Sequence, residues 1–272
     1  MLTVLICMVS VQSQNSCCAD FAALGGNPAF VAFHESPKVI NYRPQKGRMS
    51  KLEYGSQKAD VFIVPPAEGS QAAVIMIHEW WGLNDHIKRE AERLNAATGY
   101  GVAAIDLYGG RVAANRQDAS RYMQEVEEET AREIVRAAAD RIVRGELFGR
   151  NLPKVGTIGY CFGGGWSLQA ALLGGSDVSA CVVYYGMPET DAARLKSLRA
   201  PVLGIFAKRD GWINPQVVEQ FGEAMKKAGK SLTVRSYDAD HAFANPSNPN
   251  YDEENAGKAW KETLAFFKKH LG

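Results

Sequence analysis

The chain has 272 residues, 46% of them hydrophobic and 22% charged, with Lys+Arg 31 against Asp+Glu 30. That length accommodates one large α/β domain and leaves little for a second. The near-balance of charge removes the electrostatic basis for binding nucleic acid or an anionic membrane surface.

Leu2 to Val11 is a short apolar run, followed by polar residues 12–15 with a spacing like that of a signal-peptidase site. Residues 1–13 therefore read as a signal peptide and the protein as exported, periplasmic or secreted, with no membrane span in the mature form. The alternatives are a buried N-terminal segment or a true start at Met49, either of which leaves the protein cytoplasmic. Cleavage after Ser13 would remove Cys7. The remaining cysteines, Cys17, Cys18, Cys161 and Cys181, have the spacing of neither a zinc site nor a disulfide framework. Cys17 and Cys18 are open to pairing with each other or a partner, or to staying free thiols, whereas Cys181 lies in an apolar run and belongs to the core.

Residues 14–58 read as an extension; the stretch from Asp20 to Arg48 is mixed in pattern, rich in Pro, Gly and Asn, and expected to be irregular. A single domain is expected over 59–272. It begins with a strand at Asp60 to Val64, a break at Pro65-Pro66, and a fully apolar strand at Ala72 to Ile77. Helices and strands then alternate: a helix capped near Asp85 and running to about Ala97, a strand at Gly101 to Ile105, and a long charged helical region from about Gln117 to Arg144. Its run Glu125-Val126-Glu127-Glu128-Glu129 is read as a solvated helix face and not a metal site. Strands at Val155 to Ile158, Ala180 to Tyr185, Val202 to Ala207 and Thr233 to Tyr237 are separated by helices at Phe162 to Leu173 and Pro215 to Lys227, and Ala256 to His270 closes the chain as a helix. Such alternation specifies an α/β fold, a mostly parallel central sheet with helices on both faces.

Between the strand at 155 and its helix lies Gly159-Tyr160-Cys161-Phe162-Gly163. A side chain lifted onto a sharp strand-to-helix turn needs neighbours without a Cβ two positions away, so this is the pattern of a nucleophile elbow carrying a cysteine. The amino end of the following helix favours an anion, thiolate or oxyanion. In open parallel sheets reactive groups gather at the carboxyl ends of strands, where Glu79, Asp210 and His241 also fall. The chain order nucleophile, acid, histidine is that of an α/β-hydrolase sheet.

From about Ala59 to the end, the sequence resembles the dienelactone hydrolase (carboxymethylenebutenolidase-like) family. The likeness rests on the cysteine elbow at 159–164, His78-Glu79-Trp80-Trp81-Gly82-Leu83-Asn84, Ile105-Asp106-Leu107-Tyr108, Asp210 and His241. The resemblance implies a small ester or lactone as substrate, hydrolysed through a thioester on Cys161, with His241 moving the proton and Asp210 orienting it. It also implies that the Glu79 carboxylate holds the resting thiol, and that the N–H groups of Phe162 and Trp80 form the oxyanion hole. An acyltransferase, a non-catalytic binding protein and a redox sensor built on the same fold are the competing functions. No cofactor and no metal are expected. Trp81, Trp212 and Phe243 are candidate apolar contacts to substrate and Arg121 a candidate family arginine. Asn245 stands where the family carries a carboxylate-binding arginine, which points towards uncharged substrates.

Overall fold

In the computed structural model, which describes residues 16–272, the apolar runs become the strands of one sheet; the expected signal peptide lies outside the described residues. In chain order the elements are α1 (Cys17–Ala23), α2 (Pro28–Phe33), β1 (Arg48–Tyr54), β2 (Gln57–Val64), β3 (Ala72–Ile77), α3 (Asp85–Thr98) and β4 (Gly101–Ile105). They continue with α4 (Arg116–Gln124), α5 (Glu128–Val143), β5 (Lys154–Tyr160), α6 (Phe162–Gly174), β6 (Val178–Tyr184) and α7 (Ala192–Leu195). The last are β7 (Val202–Ala207), α8 (Pro215–Lys227), β8 (Leu232–Tyr237) and α9 (Glu253–Leu271).

The sheet runs β1-β2-β4-β3-β5-β6-β7-β8. The β1/β2 and β2/β4 pairs are antiparallel, and every pair from β4 onward is parallel. Two glycines of β5 show how both faces are covered. A Cβ on Gly156 would meet Phe267 and Leu271 of α9, and one on Gly159 would strike α6; residues three apart on a strand point to opposite faces. Strands β3 and β4 are buried at every position, which is why they read as unbroken apolar runs rather than alternating ones. Helix α6 is buried from Phe162 to Ala171, so its sequence is apolar all round.

Three expectations need correction. The stretch from Asp20 to Arg48, expected to be irregular, holds most of α1 and all of α2. The stretch set apart as an extension supplies the edge strand β1 and the start of β2, in register from Arg48 opposite Ile63 to Tyr54 opposite Gln57. Its exposed alternate residues, needed on a solvent-facing edge, hid the strand in a polar text. The long charged helix is two helices, α4 and α5, that break at residues 125–127. The acidic run is thus a break followed by Glu128 and Glu129 in the first turn of α5, where carboxylates are favoured by the helix dipole.

Candidate active site

Strand order reverses at β3, with β4 on one side and β5 on the other, and the crevice outside such a switch point is where ligands bind in open α/β sheets. Residues 78–84 leave β3 there and Cys161 leaves β5. Cys161 has φ 54° and ψ −118°, a conformation a side-chain-bearing residue holds only when its surroundings impose it. The glycines do so. A Cβ on Gly159 would lie 1.9 Å from the carbonyl oxygen of Gly163, and one on Gly163 would lie 2.3 Å from that of Ile77. Their absence lets α6 start against β3 and β5 with Cys161 at the apex.

Asp210 follows β7 and His241 follows β8. His241 Nδ1 donates to Asp210 Oδ2 at 2.6 Å, and both residues are buried. The other carboxylate oxygen, Oδ1, accepts the N–H groups of Trp212 and Ile213 at 2.9 and 3.0 Å. Burial would raise the Asp210 carboxyl, but the facing imidazole and these N–H groups hold it below the usual range. Burial would lower His241, yet Asp210 and then the Cys161 thiol push it well above its ordinary value. His241 Nε2 is buried without a hydrogen-bond partner. Ala242, the next residue, has φ 65°, a second strained position beside the chemistry.

Glu79 is almost fully enclosed, and burial raises its carboxyl to about 7 against the opposing pull of His241 and Asn245. Its Oε2 accepts from Asn245 Nδ2 at 2.7 Å. Asn245 is itself pinned, because its Oδ1 accepts from the backbone N–H and hydroxyl of Ser247 at 2.9 and 2.6 Å.

The residue that sequence reasoning missed is His34, the cap of α2. Its Nδ1 donates to the carbonyl of Phe30 at 2.8 Å, and its Nε2 lies 3.8 Å from Cys161 Sγ. The ring packs on Trp80 at 4.4 Å and on His241 at 5.0 Å between centroids. Burial, followed by the nearby His241, lowers it to about 3, so it is neutral. The segment that carries it is anchored by the Arg116–Glu35 ion pair at 2.8 Å, by Ser120 Oγ on Gly25 O at 2.7 Å and by Phe30 against Trp80 and Trp212. With this segment docked, the space bounded by His34, Glu79, Trp80, Trp81, Cys161 and His241 is about 10 Å³, little more than one water. No sequence signal marks His34, since a lone histidine in a mixed-pattern stretch carries no motif.

The model of the dienelactone hydrolase family matches residues 59–271. The chain belongs to the dienelactone hydrolase family. It is 32% identical over 233 residues to Protein usf of Aquifex pyrophilus, a match covering 83% of this chain and 99% of the relative. A protein of Aquifex aeolicus (strain VF5) provisionally named a carboxymethylenebutenolidase is 29% identical over 231 residues, with 83% and 99% covered. The crystal structure of a provisionally named dienelactone hydrolase from Klebsiella pneumoniae superposes with a TM-score of 0.72 at 23% identity, covering 82% of this chain and 98% of that one. This likeness is one of fold, the α/β-hydrolase fold. As a member of this family the chain is a hydrolase of small esters or lactones.

Several expectations taken from the dienelactone hydrolase resemblance change on inspection. Glu79 makes no hydrogen bond to the Cys161 thiol; Asn245 holds its carboxylate instead, and His34 is the polar side chain at the sulfur. Asn245 is buried, holds Glu79 through Nδ2 and is held by Ser247 through Oδ1, so it positions Glu79 and is not among the residues lining the cavity. Arg121 is exposed, paired with Asp118 at 2.7 Å and away from the cavity. Phe243 is fully buried behind the site against Tyr185 and Tyr237. Trp212 packs on Phe30 of the N-terminal segment, while Trp80 and Trp81 do line the cavity. Phe162 opens α6, so its N–H has no intrahelical acceptor.

Proposed function

We propose that the protein is a cysteine-dependent hydrolase of small uncharged esters or lactones acting through a thioester, with Cys161, His241 and Asp210 as its catalytic residues. The observation that carries this reading is the 2.6 Å Asp210–His241 bond, which leaves His241 Nε2 unpartnered at a cavity shared with Cys161. The imidazole takes the thiol proton and the sulfur attacks the carbonyl carbon. The negative oxygen that forms is met by the N–H groups of Phe162 and Trp80. Collapse breaks the C–O bond, and the imidazolium returns the proton to the leaving alkoxide, which in a lactone stays tethered to the acyl group. Water activated by His241 then cleaves the thioester, releasing the acid and restoring the thiol. Glu79, buried within electrostatic reach of His241, favours the imidazolium while ionised.

The preference for uncharged substrates follows from the lining. Among the described residues bounding the cavity there is no Lys or Arg, and the carboxylate left there when the N-terminal segment moves aside is Glu79. A substrate carboxylate would find there no Lys or Arg, whose charge-assisted hydrogen bonds, each worth roughly 1.5–3 kcal/mol, make its burial favourable. For any substrate to reach the sulfur, the tip of the N-terminal segment bearing His34 must first move aside.

The test uses the purified full chain and an activated ester. A burst of alcohol and an acyl adduct on the Cys161 peptide by mass spectrometry are expected. Cys161→Ala should abolish turnover with the melting temperature unchanged, and Cys161→Ser should retain little activity. Wild-type rates in the alanine variant would remove Cys161 from the reaction. For substrate charge, kcat/KM should be higher for the methyl ester of a carboxylate-bearing lactone than for its anion, and a preference for the anion would refute that part.

A further inference from the structure

One member of the site, His34, is not needed for hydrolysis, and it completes an arrangement with two residues that are. Three ligand-type atoms, His34 Nε2, Cys161 Sγ and His241 Nε2, lie within 4.8 Å of one another, and all three residues are buried. In each histidine Nδ1 donates to an oxygen, that of Phe30 for His34 and that of Asp210 for His241. This turns the Nε2 of each ring towards the sulfur's surroundings, where His34 offers a lone pair and His241 offers one on losing its Nε2 proton. His241 Nε2 is buried with no hydrogen-bond partner, and an orphaned buried nitrogen calls for a partner. Anchoring one ring nitrogen on a carbonyl or carboxylate while the other binds is the usual second-sphere arrangement of metal-bound histidines.

We propose that His34, Cys161 and His241 form a three-residue site for a divalent zinc ion, which clamps the N-terminal segment onto the reactive thiol. Zinc bonds of about 2.3 Å to sulfur and about 2.0–2.1 Å to nitrogen in tetrahedral geometry put such ligand atoms roughly 3.5 Å apart. The Cys161–His34 separation is 3.8 Å, so closing onto the ion needs only small side-chain rotations. One thiolate and two imidazoles suit zinc and exclude magnesium and calcium, which require oxygen ligands. The cavity of about 10 Å³ matches an ion or one water, which would fill the fourth position, and not an ester. On binding, the thiol proton leaves to solvent as the sulfur–zinc bond forms, and the Nε2 proton of a charged His241 leaves as the nitrogen–zinc bond forms, so at least one proton is released per ion. The bound ion occupies the sulfur and the Nε2 on which the hydrolase reading depends, and so holds the enzyme inactive. His34 comes from outside the family-matched residues 59–271, so the two-residue remainder of the site survives without it but binds weakly.

Zinc binding to the chelator-treated full chain, followed without substrate against a chromophoric competing chelator, tests this independently of hydrolysis. The expected result is one ion per chain, at least one proton released, and a thiolate-to-metal absorption band when cobalt replaces zinc. His34→Ala should weaken binding by at least about 100-fold, since even second-sphere losses cost about 10- to 100-fold. The double variant Cys17→Ser, Cys18→Ser should bind like the wild type. Circular dichroism establishes that each variant is folded, and if His34→Ala is not, the cobalt band and its loss in Cys161→Ala carry the decision. Substoichiometric binding, equal affinity in folded His34→Ala, loss of binding in the Cys17/Cys18 variant, or a cobalt band retained in Cys161→Ala would overturn the proposal.

Discussion

Phe30→Ala should open the active site without loosening the sheet. Phe30 is fully buried, and its ring meets His34 at 4.2 Å, Phe21 and Trp212 at 5.3 Å and Trp80 at 5.9 Å. Truncating a buried phenylalanine costs about 3–5 kcal/mol. These partners join the N-terminal helices to the surface of the site, and α1 and α2 contribute no strand to the sheet. The cost therefore falls on docking of the segment, a local opening distinct from global unfolding. At about 1.4 kcal/mol per factor of ten, the population with His34 lifted from the sulfur should rise between about 100- and 4,000-fold. Alkylation by iodoacetamide at neutral pH reads this population, with labelling of Cys161 and Cys181 quantified separately by peptide mass spectrometry. Cys181 lies fully buried in β6 and reports global unfolding. Cys161 labelling should accelerate steeply and Cys181 labelling should not. An unchanged Cys161 rate, a rise only in step with Cys181, or wild-type labelling as fast as a small free thiol would refute the reasoning.

Glu79→Gln should change how stability depends on pH. The folded Glu79 carboxyl sits at about 7 against about 4.3 unfolded, so the native state binds the extra proton between those values and the wild type loses stability as pH rises through them. The loss is on the order of 3 kcal/mol; denaturant titrations at pH 4.5 and 8 should show glutamine gaining relative to wild type by that order, and a pH-independent difference would contradict the burial argument. A matched pair of substitutions tests the elbow. Gly163→Ala places a Cβ 2.3 Å from the Ile77 carbonyl oxygen, whereas Gly222→Ala in α8 meets nothing within 4 Å. The first should destabilise by about 1–3 kcal/mol and lower activity. The second should stabilise by about 0.5–1 kcal/mol without affecting activity, and equal melting temperatures for the two variants would count against the packing account of the elbow.

The local architecture was legible because its causes are local. The apolar runs at 72–77, 101–105 and 202–207 read as strands because they are buried on both sides. The glycines around Cys161 read as an elbow because a Cβ at 159 or 163 collides with backbone. Asp210 and His241 could be named because parallel topology brings the carboxyl ends of strands to one edge. Where a side chain's role depends on what crosses over it, the sequence was silent or misleading. β1 was hidden because an edge strand needs only one apolar face, and the Glu125–Glu129 run because a helix break and a helix start share the composition of a charged face. Asn245 read as a substrate contact until its amide was found on Glu79, 166 residues away in sequence. Arg121 read as a binding residue until Asp118 was found beside it. His34 meets Cys161 across 127 residues of sequence, a contact set by how the N-terminal helices pack on Trp80 and Trp212. Short-range sterics and periodicity are written in consecutive residues; which distant side chain closes over Cys161 is decided only when the tertiary fold brings the two together.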